Sequence, residues 1–247
     1  MARTSPAGLT PPAGRAGAVA VVVPAFRAAR TIADVIERAR RSSPGATVLV
    51  VDDGSDDDTA SRALAAGAAV ASHERNEGKG RALATGLDAA MALEGMCFTV
   101  TMDADGQHPP EAIPALLGPL VAGRADLVVG ARCRAAGVMP AGRRLTNWLS
   151  STLVSRALGV NVPDSQSGFR AMTRAVAGTV RPGGRRYEFE TEFLFQAAQR
   201  GFRIDAVEIP TVYGGGTSHF RYLTDTLRLT GVFLRYWRRI LAGPMAA

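Results

Sequence analysis

Short apolar runs alternate with helix-like segments through the first 130 residues of this chain. Five runs rich in Val, Ile, Leu and Ala predict buried strands over residues 18–23, 47–51, 69–72, 96–102 and 127–129. Four intervening segments predict helices over residues 31–41, 58–67, 80–93 and 110–121. Because strands joined by helices run parallel, this alternation predicts a mostly parallel, doubly wound α/β sheet.

After residue 130 the pattern becomes less regular. It predicts a polar loop over residues 164–170, a strand over 203–210, and helices over 144–158, 190–200 and 224–241. We therefore expect a single α/β domain over residues 18–220 and a basic amphipathic helix within 221–247. Residues 1–17 are rich in Pro, Gly and Ala and lack the apolar stretch of a secretory signal, so they predict a disordered leader.

The composition favours anionic partners. The formal net charge is +7 and the isoelectric point is about 10.4, which suits phosphorylated substrates, anionic lipid or nucleic acid. Nucleic acid is disfavoured, because aromatic residues make up 6% of the chain and no basic–aromatic repeat occurs. The two cysteines, Cys97 and Cys133, make no disulfide framework, so we expect a reducing compartment, with Cys97 in the core.

Two carboxylates follow the strand predicted over residues 96–102. Asp103 and Asp105 are one residue apart and lead into a Gly turn, with Gln107 two positions further on. Alternate residues at a strand end point to the same side, so both carboxylates are placed to share one hard cation. Such oxygen ligands suit Mg²⁺ or Mn²⁺ holding a diphosphate. A solvated turn is the alternative for an isolated Asp-x-Asp.

A second acidic cluster follows the strand over residues 47–51. Asp52 and Asp53 end that strand, where a carboxylate can accept hydrogen bonds from a base N–H or from ribose hydroxyls. Ligands of parallel sheets bind at the carboxyl ends of the strands, so both acidic clusters are expected at one site.

Residues 76–81 open a predicted helix. Their glycines let the backbone approach a phosphate, and Lys79 adds a positive charge. The segment matches neither a P-loop nor a dinucleotide-binding fingerprint, and an ordinary Gly-containing turn is the alternative.

Other polar residues have weaker implications. Glu188, Glu190 and Glu192 alternate with other residues and predict a solvated face. His108 and His219 have no suitably spaced partners, so a zinc site is not expected. No Gly-x-Ser-x-Gly nucleophile motif occurs.

The predicted C-terminal helix carries arginines seven residues apart, at Arg221, Arg228 and Arg235, beside a broad apolar face. This pattern fits a helix lying in a membrane interface. It fits equally well a helix packed on the chain's own core or on a partner subunit. No segment offers about 20 uncharged apolar residues, so a transmembrane helix is not expected.

Six motifs follow one another along the chain: VVVPAF at 21–26, VDDGS at 51–55, NEGKG at 76–80, DADGQH at 103–108, GAR at 130–132 and SQSGFR at 165–170. Together they resemble family 2 glycosyltransferases, and their spacing is similar to the dolichol-phosphate mannose synthase and polyprenyl-phosphate glycosyltransferase branch. The resemblance runs from about residue 18 to 241. It implies a GT-A fold, with a nucleotide-sugar half over 18–132 and an acceptor half over 133–220, and an inverting sugar transfer.

The resemblance also implies roles for individual residues. The nucleotide-sugar would be held by Pro24, Ala25, Phe26, Asp52, Asp53, Lys79, Asp103 and Asp105. The Mg²⁺ or Mn²⁺ ion would be held by Asp103, Asp105 and Gln107. The acceptor phosphate would be met by Arg143, Arg144, Ser218, His219 and Arg221. Catalysis would involve Asp105, Arg132 and Asp164.

Two departures from the family pattern concern substrate choice. Phe26-Arg27-Ala28 stands where the family usually has Tyr-Asn-Glu, which removes a ribose contact and leaves the nucleotide preference open. His219 stands where relatives often have Lys, which weakens the phosphate role of that region.

The leading hypothesis is transfer of a hexose from a GDP-mannose or UDP-glucose type donor to a polyprenyl phosphate. The protein would work in the cytoplasm, peripherally on the membrane surface, alone, as a homo-oligomer or with a membrane subunit. The main alternative keeps the fold but uses a sugar or small-molecule hydroxyl, which needs a base such as Asp164 or a Glu near Glu190. A silent nucleotide-sugar sensor is disfavoured by the intact Asp103 and Asp105, and a sugar nucleotidyltransferase by the absence of its Gly-rich loop.

Overall fold

The structure is a computed structural model that describes residues 18–132, 141–184 and 188–210, together with Gly231. Its strands are β1 (Ala18–Ala25), β2 (Thr47–Asp52), β3 (Ala69–Ser72), β4 (Met96–Thr101), β5 (Leu127–Arg132), β6 (Arg170–Thr173) and β7 (Ile204–Ile209). Its helices are α1 (Ile32–Ser42), α2 (Thr59–Ala65), α3 (Lys79–Met91), α4 (Ile113–Val121), α5 (Ala141–Leu158), α6 (Arg174–Thr179) and α7 (Glu188–Gln199), with a 3₁₀ turn at Pro110–Ala112 before α4.

The strands form one sheet in the order β3-β2-β1-β4-β6-β5-β7. All the neighbouring pairs are parallel except those made by β6, which runs antiparallel to both β4 and β5. The expectation of a mostly parallel α/β sheet is therefore confirmed. The reversal of β6 has a consequence for the site, because its first residue, Arg170, pairs with Thr101 at the carboxyl end of β4.

Apolar side chains fill both faces of the sheet. Alternate residues of β1 belong to opposite layers, with Val22 in one core cluster and Val21 and Val23 in the other. This two-sided burial explains why β1 is a continuous apolar run instead of an alternating one. Helix α3 lies directly on the sheet, because a Cβ at Gly86 would be 2.3 Å from Val22 Cγ1.

Two details of the sheet, one in β6 and one in β4, differ from the sequence-based expectations. The polar loop predicted over residues 164–170 ends one residue earlier, because Arg170 begins β6, and no element was predicted for the residues of β6 and α6. A four-residue strand that starts with a charged residue carries too short a pattern to be recognised. Cys97 was expected in the core but is exposed. The β1–β4 register shifts there, from Ala18 opposite Met96 to Val19 opposite Phe98, so Cys97 is the unpaired extra residue.

Three other expectations fall outside the described residues. These are the leader over 1–17, Cys133, and the C-terminal helix within 221–247 apart from Gly231. Within the described parts of the chain, we find no helix that combines the length and the apolar character needed to cross a bilayer.

Candidate active site

Charged side chains gather at one edge of the sheet. The carboxyl ends of β2, β4 and β5 lead to Asp53, Asp103 and Arg132, and the beginning of β6 brings Arg170 to the same edge. Parallel strands must end at a common edge, and ligands of such sheets bind there. This edge is therefore the candidate site.

Lys79 joins two carboxylates at the centre of this edge. Its Nζ lies 2.6 Å from Asp103 Oδ1 and 2.8 Å from Glu190 Oε1. Burial opposes the charged ammonium, but the attraction of Asp103 and Glu190 outweighs it, so the pKa of Lys79 lies above its usual value. Burial likewise opposes the charge of Asp103, but Lys79 overcomes it and lowers the pKa of Asp103 to about 2. Lys79 and Asp103 are thus both ionised near neutral pH.

The expectation of a solvated face for Glu188, Glu190 and Glu192 is wrong for the last two, which are 2% and 4% exposed. These residues lie in helix α7, where residues two apart do not share a face. Glu190 therefore reaches Lys79, while Glu192 accepts hydrogen bonds from the N–H groups of Gly183 and Gly184.

Arg132 and Asp164 form a second charged pair at the edge. The Nε and Nη2 groups of Arg132 donate to the two carboxylate oxygens of Asp164, at 2.6 and 3.1 Å. Asp164 is buried, whereas Arg132 is partly exposed. The structure therefore brings together two of the predicted catalytic residues, as a bidentate ion pair.

Arg170 links two segments of the site through hydrogen bonds to their main-chain oxygens, a role that the sequence did not indicate. Its buried guanidinium donates to the main-chain oxygens of Ser167, Glu190 and Ser165, each at 2.9 Å. Burial lowers its pKa to about 10, which leaves it charged at neutral pH. Arg170 thus fixes the 165–168 loop against the helix that carries Glu190. The one sequence feature that singles out Arg170 is its place at the end of the SQSGFR motif, which does not reveal its partners.

Asp53 anchors the loop that leads into α3. This buried carboxylate accepts hydrogen bonds from the N–H groups of Glu77 and Gly78, at 3.0 and 2.8 Å, and lies 2.7 Å from His73 Nδ1. Gly78 has a φ of 99°, which glycine adopts readily, and α3 begins at the next residue. The contacts of Asp53 are those of a loop anchor, and a nucleoside contact for it remains a prediction. Asp52, also buried, accepts a hydrogen bond from the N–H of Ser55 at 3.3 Å.

The end of β1 forms the next part of the edge. Pro24 and Ala25 are buried and Phe26 is half-buried. Arg27 has a φ of 51°, a left-handed conformation that is uncommon outside glycine. Its guanidinium lies 5.2 Å from the centre of the Phe26 ring and donates two hydrogen bonds of 2.7 Å to Asp56. Residues 26–27 are thereby tied to the loop after β2.

The predicted metal ligands offer a suitable but incomplete oxygen set. Asp105 is exposed, and its Oδ1 accepts a hydrogen bond from the N–H of Gln107 at 2.9 Å. Among the described residues, no three His, Cys, Asp or Glu side chains gather as a metal-binding group. Mg²⁺ is commonly held by one or two carboxylates together with water and substrate phosphates. Asp103, Asp105 and the Gln107 amide fit that requirement.

His108 lies behind this set. It is buried against Phe169, with ring centres 5.4 Å apart, and its Nδ1 is 3.8 Å from Asp103 Oδ2. Burial lowers the pKa of His108, which favours the neutral imidazole at neutral pH.

The predicted acceptor residues are less well defined. Arg143 and Arg144 lie near the beginning of α5. Ser218, His219 and Arg221 lie outside the described residues. A cavity of about 630 Å³ opens beside the start of α3, with Arg75 and Arg81 in its wall. Its lining includes Asn76, Glu77 and Gly80 from the predicted phosphate-approaching segment, but not Lys79 or any other residue predicted individually for the site.

Comparisons with known proteins agree with this geometry. A family model described as glycosyl transferase family 2 matches residues 20–181. The polyprenol monophosphomannose synthase of Mycolicibacterium smegmatis is 31% identical over 206 residues, which cover 78% of this chain and 76% of that protein. The undecaprenyl-phosphate mannosyltransferase of Micrococcus luteus is 32% identical over 210 residues, which cover 79% and 83%.

A solved structure shows that the similarity also holds for the fold. The crystal structure of glucosyl-3-phosphoglycerate synthase from Mycobacterium tuberculosis, in complex with Mn²⁺, UDP and glucosyl-3-phosphoglycerate, aligns with a TM-score of 0.69 and 27% identity. The alignment covers 91% of this chain and 80% of that one. The expected GT-A fold is thereby confirmed.

Proposed function

This chain belongs to glycosyl transferase family 2, and from that membership we propose that it transfers a hexose from a nucleoside-diphosphate sugar to the phosphate of a polyprenyl lipid. Glycosyl transfer follows from the family and its relatives. The donor, the acceptor and the metal dependence are the parts that we propose.

The donor would lie along the edge formed by the ends of β1, β2 and β4. Phe26 and Asp52 would border the space for the nucleoside, and Asp103, Asp105 and Gln107 would hold a divalent cation. When bound, that cation would supply positive charge to the leaving diphosphate. Arg132 lies at the same edge, where its guanidinium would stabilise charge on the phosphates of the donor or the acceptor.

One observation carries the choice of acceptor: both candidate bases are already paired with cations. Asp164 accepts two hydrogen bonds from Arg132, and Glu190 contacts Lys79. A carboxylate engaged in this way is poorly placed to take a proton from a hydroxyl. A phosphate monoester, whose second pKa is about 6, is already largely ionised at neutral pH and needs orientation more than a base.

The basic C-terminal region suits the same acceptor. From Arg170 to Ala247 there are 12 Arg against 6 Asp and Glu, a net charge of 12 − 6 = +6. Anionic membrane surfaces attract such segments. We propose that the protein works peripherally on the cytoplasmic face of the membrane, where a polyprenyl phosphate resides.

The test is a transfer assay with radiolabelled GDP-mannose or UDP-glucose, polyprenyl phosphate and Mn²⁺. We expect label in the organic phase, lost in Asp105→Asn and retained at a substantial level in Asp164→Asn. Failure of all common donors to label the lipid would refute the proposal. A complete loss in Asp164→Asn with normal folding would instead argue for a base.

A small-molecule hydroxyl is the second candidate acceptor, and Glu190 favours it. In the described structure Lys79 contacts Glu190 through Oε1, whereas Oε2 is buried and has no hydrogen-bond partner. The pairing with Lys79 therefore leaves one oxygen of Glu190, unlike either oxygen of Asp164, open to a hydroxyl proton. The solved relative is described in complex with a phosphoglycerate glucoside. Label that enters the aqueous product with 3-phosphoglycerate and UDP-glucose, and that Glu190→Gln abolishes, would establish this alternative.

A further inference from the structure

The chain contains 28 arginines and a single lysine, Lys79. From its position we propose that Lys79 holds Asp103 while the donor site is empty, and releases it when a divalent cation and a nucleoside diphosphate arrive together. Lys79 would thereby make the cation and the nucleotide depend on each other for binding. This inference relies on the proposed function only for the donor, a nucleoside-diphosphate sugar bound with a divalent cation. It does not depend on the identity of the acceptor.

The contact between Lys79 and Asp103 is built into the fold. A Cβ at Gly168 would lie 2.7 Å from Lys79 Nζ and 2.9 Å from Asp103 Oδ1, so a larger residue there would push into the pair. Gly168 is held in turn by Thr101, whose hydroxyl donates to its carbonyl oxygen at 2.8 Å. The glycine leaves room for a compact ammonium, whereas the planar fork of an arginine needs more space.

Lys79 and a divalent cation would compete for the same carboxylate. The Lys79 ammonium already lies 2.6 Å from Asp103 Oδ1, so a second cation at Asp103 meets a like charge at close range. We therefore infer that the cation alone binds weakly.

A diphosphate removes this conflict, because its oxygens offer negative charge to both cations. The flexible four-carbon stem lets the ammonium turn from Asp103 towards a phosphate oxygen. Glu190, 2.8 Å from Nζ and 2% exposed, remains as its partner during that movement. Lys79 is thus a positioning residue for Asp103 before the donor binds, and a phosphate ligand afterwards.

The test measures Mn²⁺ binding by electron paramagnetic resonance, with and without UDP or GDP and without any acceptor. In the wild type we expect Mn²⁺ to bind weakly alone and on the order of tenfold more tightly with the nucleotide. Lys79→Met should bind Mn²⁺ alone more tightly than the wild type, with most of the nucleotide effect lost. Arg81→Met is the matched control: it removes one positive charge from the same helix, at a side chain 61% exposed, and should behave as the wild type.

Equal or weaker binding of Mn²⁺ alone by Lys79→Met would overturn the inference, as would an equal gain in Arg81→Met.

A second measurement needs no variant. Lysine labelled with ¹³C at Cε gives one side-chain signal from this chain, which Mg²⁺ alone should leave in place and Mg²⁺ with nucleotide should shift. A full shift with Mg²⁺ alone would contradict the proposal. These readouts do not involve the acceptor, so an inactive lipid assay leaves them intact.

Discussion

Arg170 is a buried cation that donates to three main-chain oxygens. We expect Arg170→Met to lower the free energy of unfolding by at least about 3 kcal/mol, because several buried carbonyls would lose their donors. Arg174 is the matched control: it also donates to three main-chain oxygens, those of Leu93, Met96 and Met91, but it is exposed. Urea unfolding should show a much smaller loss for Arg174→Met. Equal losses would mean that burial is not what makes Arg170 important.

The charge of Asp103 predicts an acid-dependent loss of stability. Its pKa is about 2 in the folded protein against an ordinary 3.8, so the folded state binds the proton less readily than the unfolded state. The resulting stabilisation is present above about pH 4 and is lost as the pH falls towards 2. Urea unfolding between pH 4.5 and 2.5 should show a steeper decline in the wild type than in Asp103→Asn. Parallel declines would contradict this assignment.

Individual residues of the site were predicted unevenly, for a physical reason. Asp103 lies just beyond the end of β4 and Arg132 is the last residue of β5, and the apolar runs before them were enough to place both at the sheet edge. The role of Glu190 depends on Lys79, and the role of Arg170 on three carbonyls, all supplied by the folded chain. Nothing near Glu190 in the sequence distinguishes a buried carboxylate from a solvated one.

At the scale of elements, the contact of α3 with the sheet depends on glycine. A Cβ at Gly86 would lie 2.3 Å from Val22, which cannot move without disturbing β1, so Gly86→Ala should cost about 1–3 kcal/mol through overpacking. Gly118 in α4 is the matched control, because a Cβ there meets nothing within 4 Å. Gly118→Ala should change the free energy of unfolding by less than about 1 kcal/mol, because alanine favours helix but a Cβ directly before Pro119 disfavours the helical backbone. Thermal unfolding of both variants checks the difference, and a neutral Gly86→Ala would contradict the close approach.

The elements themselves were predicted in proportion to the strength of their local pattern. β1 and β2 are long apolar runs, and their predicted positions agree with the structure to within two residues. β6 was missed because four residues that start with Arg170 show no alternation, and because its antiparallel pairing is set by β4 and β5. Yet β6 is the strand that delivers the SQSGFR motif to the site.

At the scale of the whole molecule, the donor should stabilise the fold. Ligands that bind the folded state alone raise the free energy of unfolding, by about 2.7 kcal/mol at a concentration 100 times Kd. We expect Mn²⁺ with UDP or GDP to raise the Tm, and the nucleotide that does so identifies the preferred base. Asp105→Asn should lose the shift.

Asp34→Asn, an exposed carboxylate on α1, should keep the shift and serves as the control. A Tm increase that Asp105→Asn retains in full would remove Asp105 from the metal site.

The single lysine gives the molecule one site for proteolysis by a lysine-specific enzyme. A protease specific for lysine has one bond to cleave in this chain, that between Lys79 and Gly80, at the first turn of α3. Cleavage requires that Lys79 leave Asp103 and Glu190 and that the turn unwind. The rate at which the two fragments appear therefore reports the local opening of the donor site, separately from the rest of the fold.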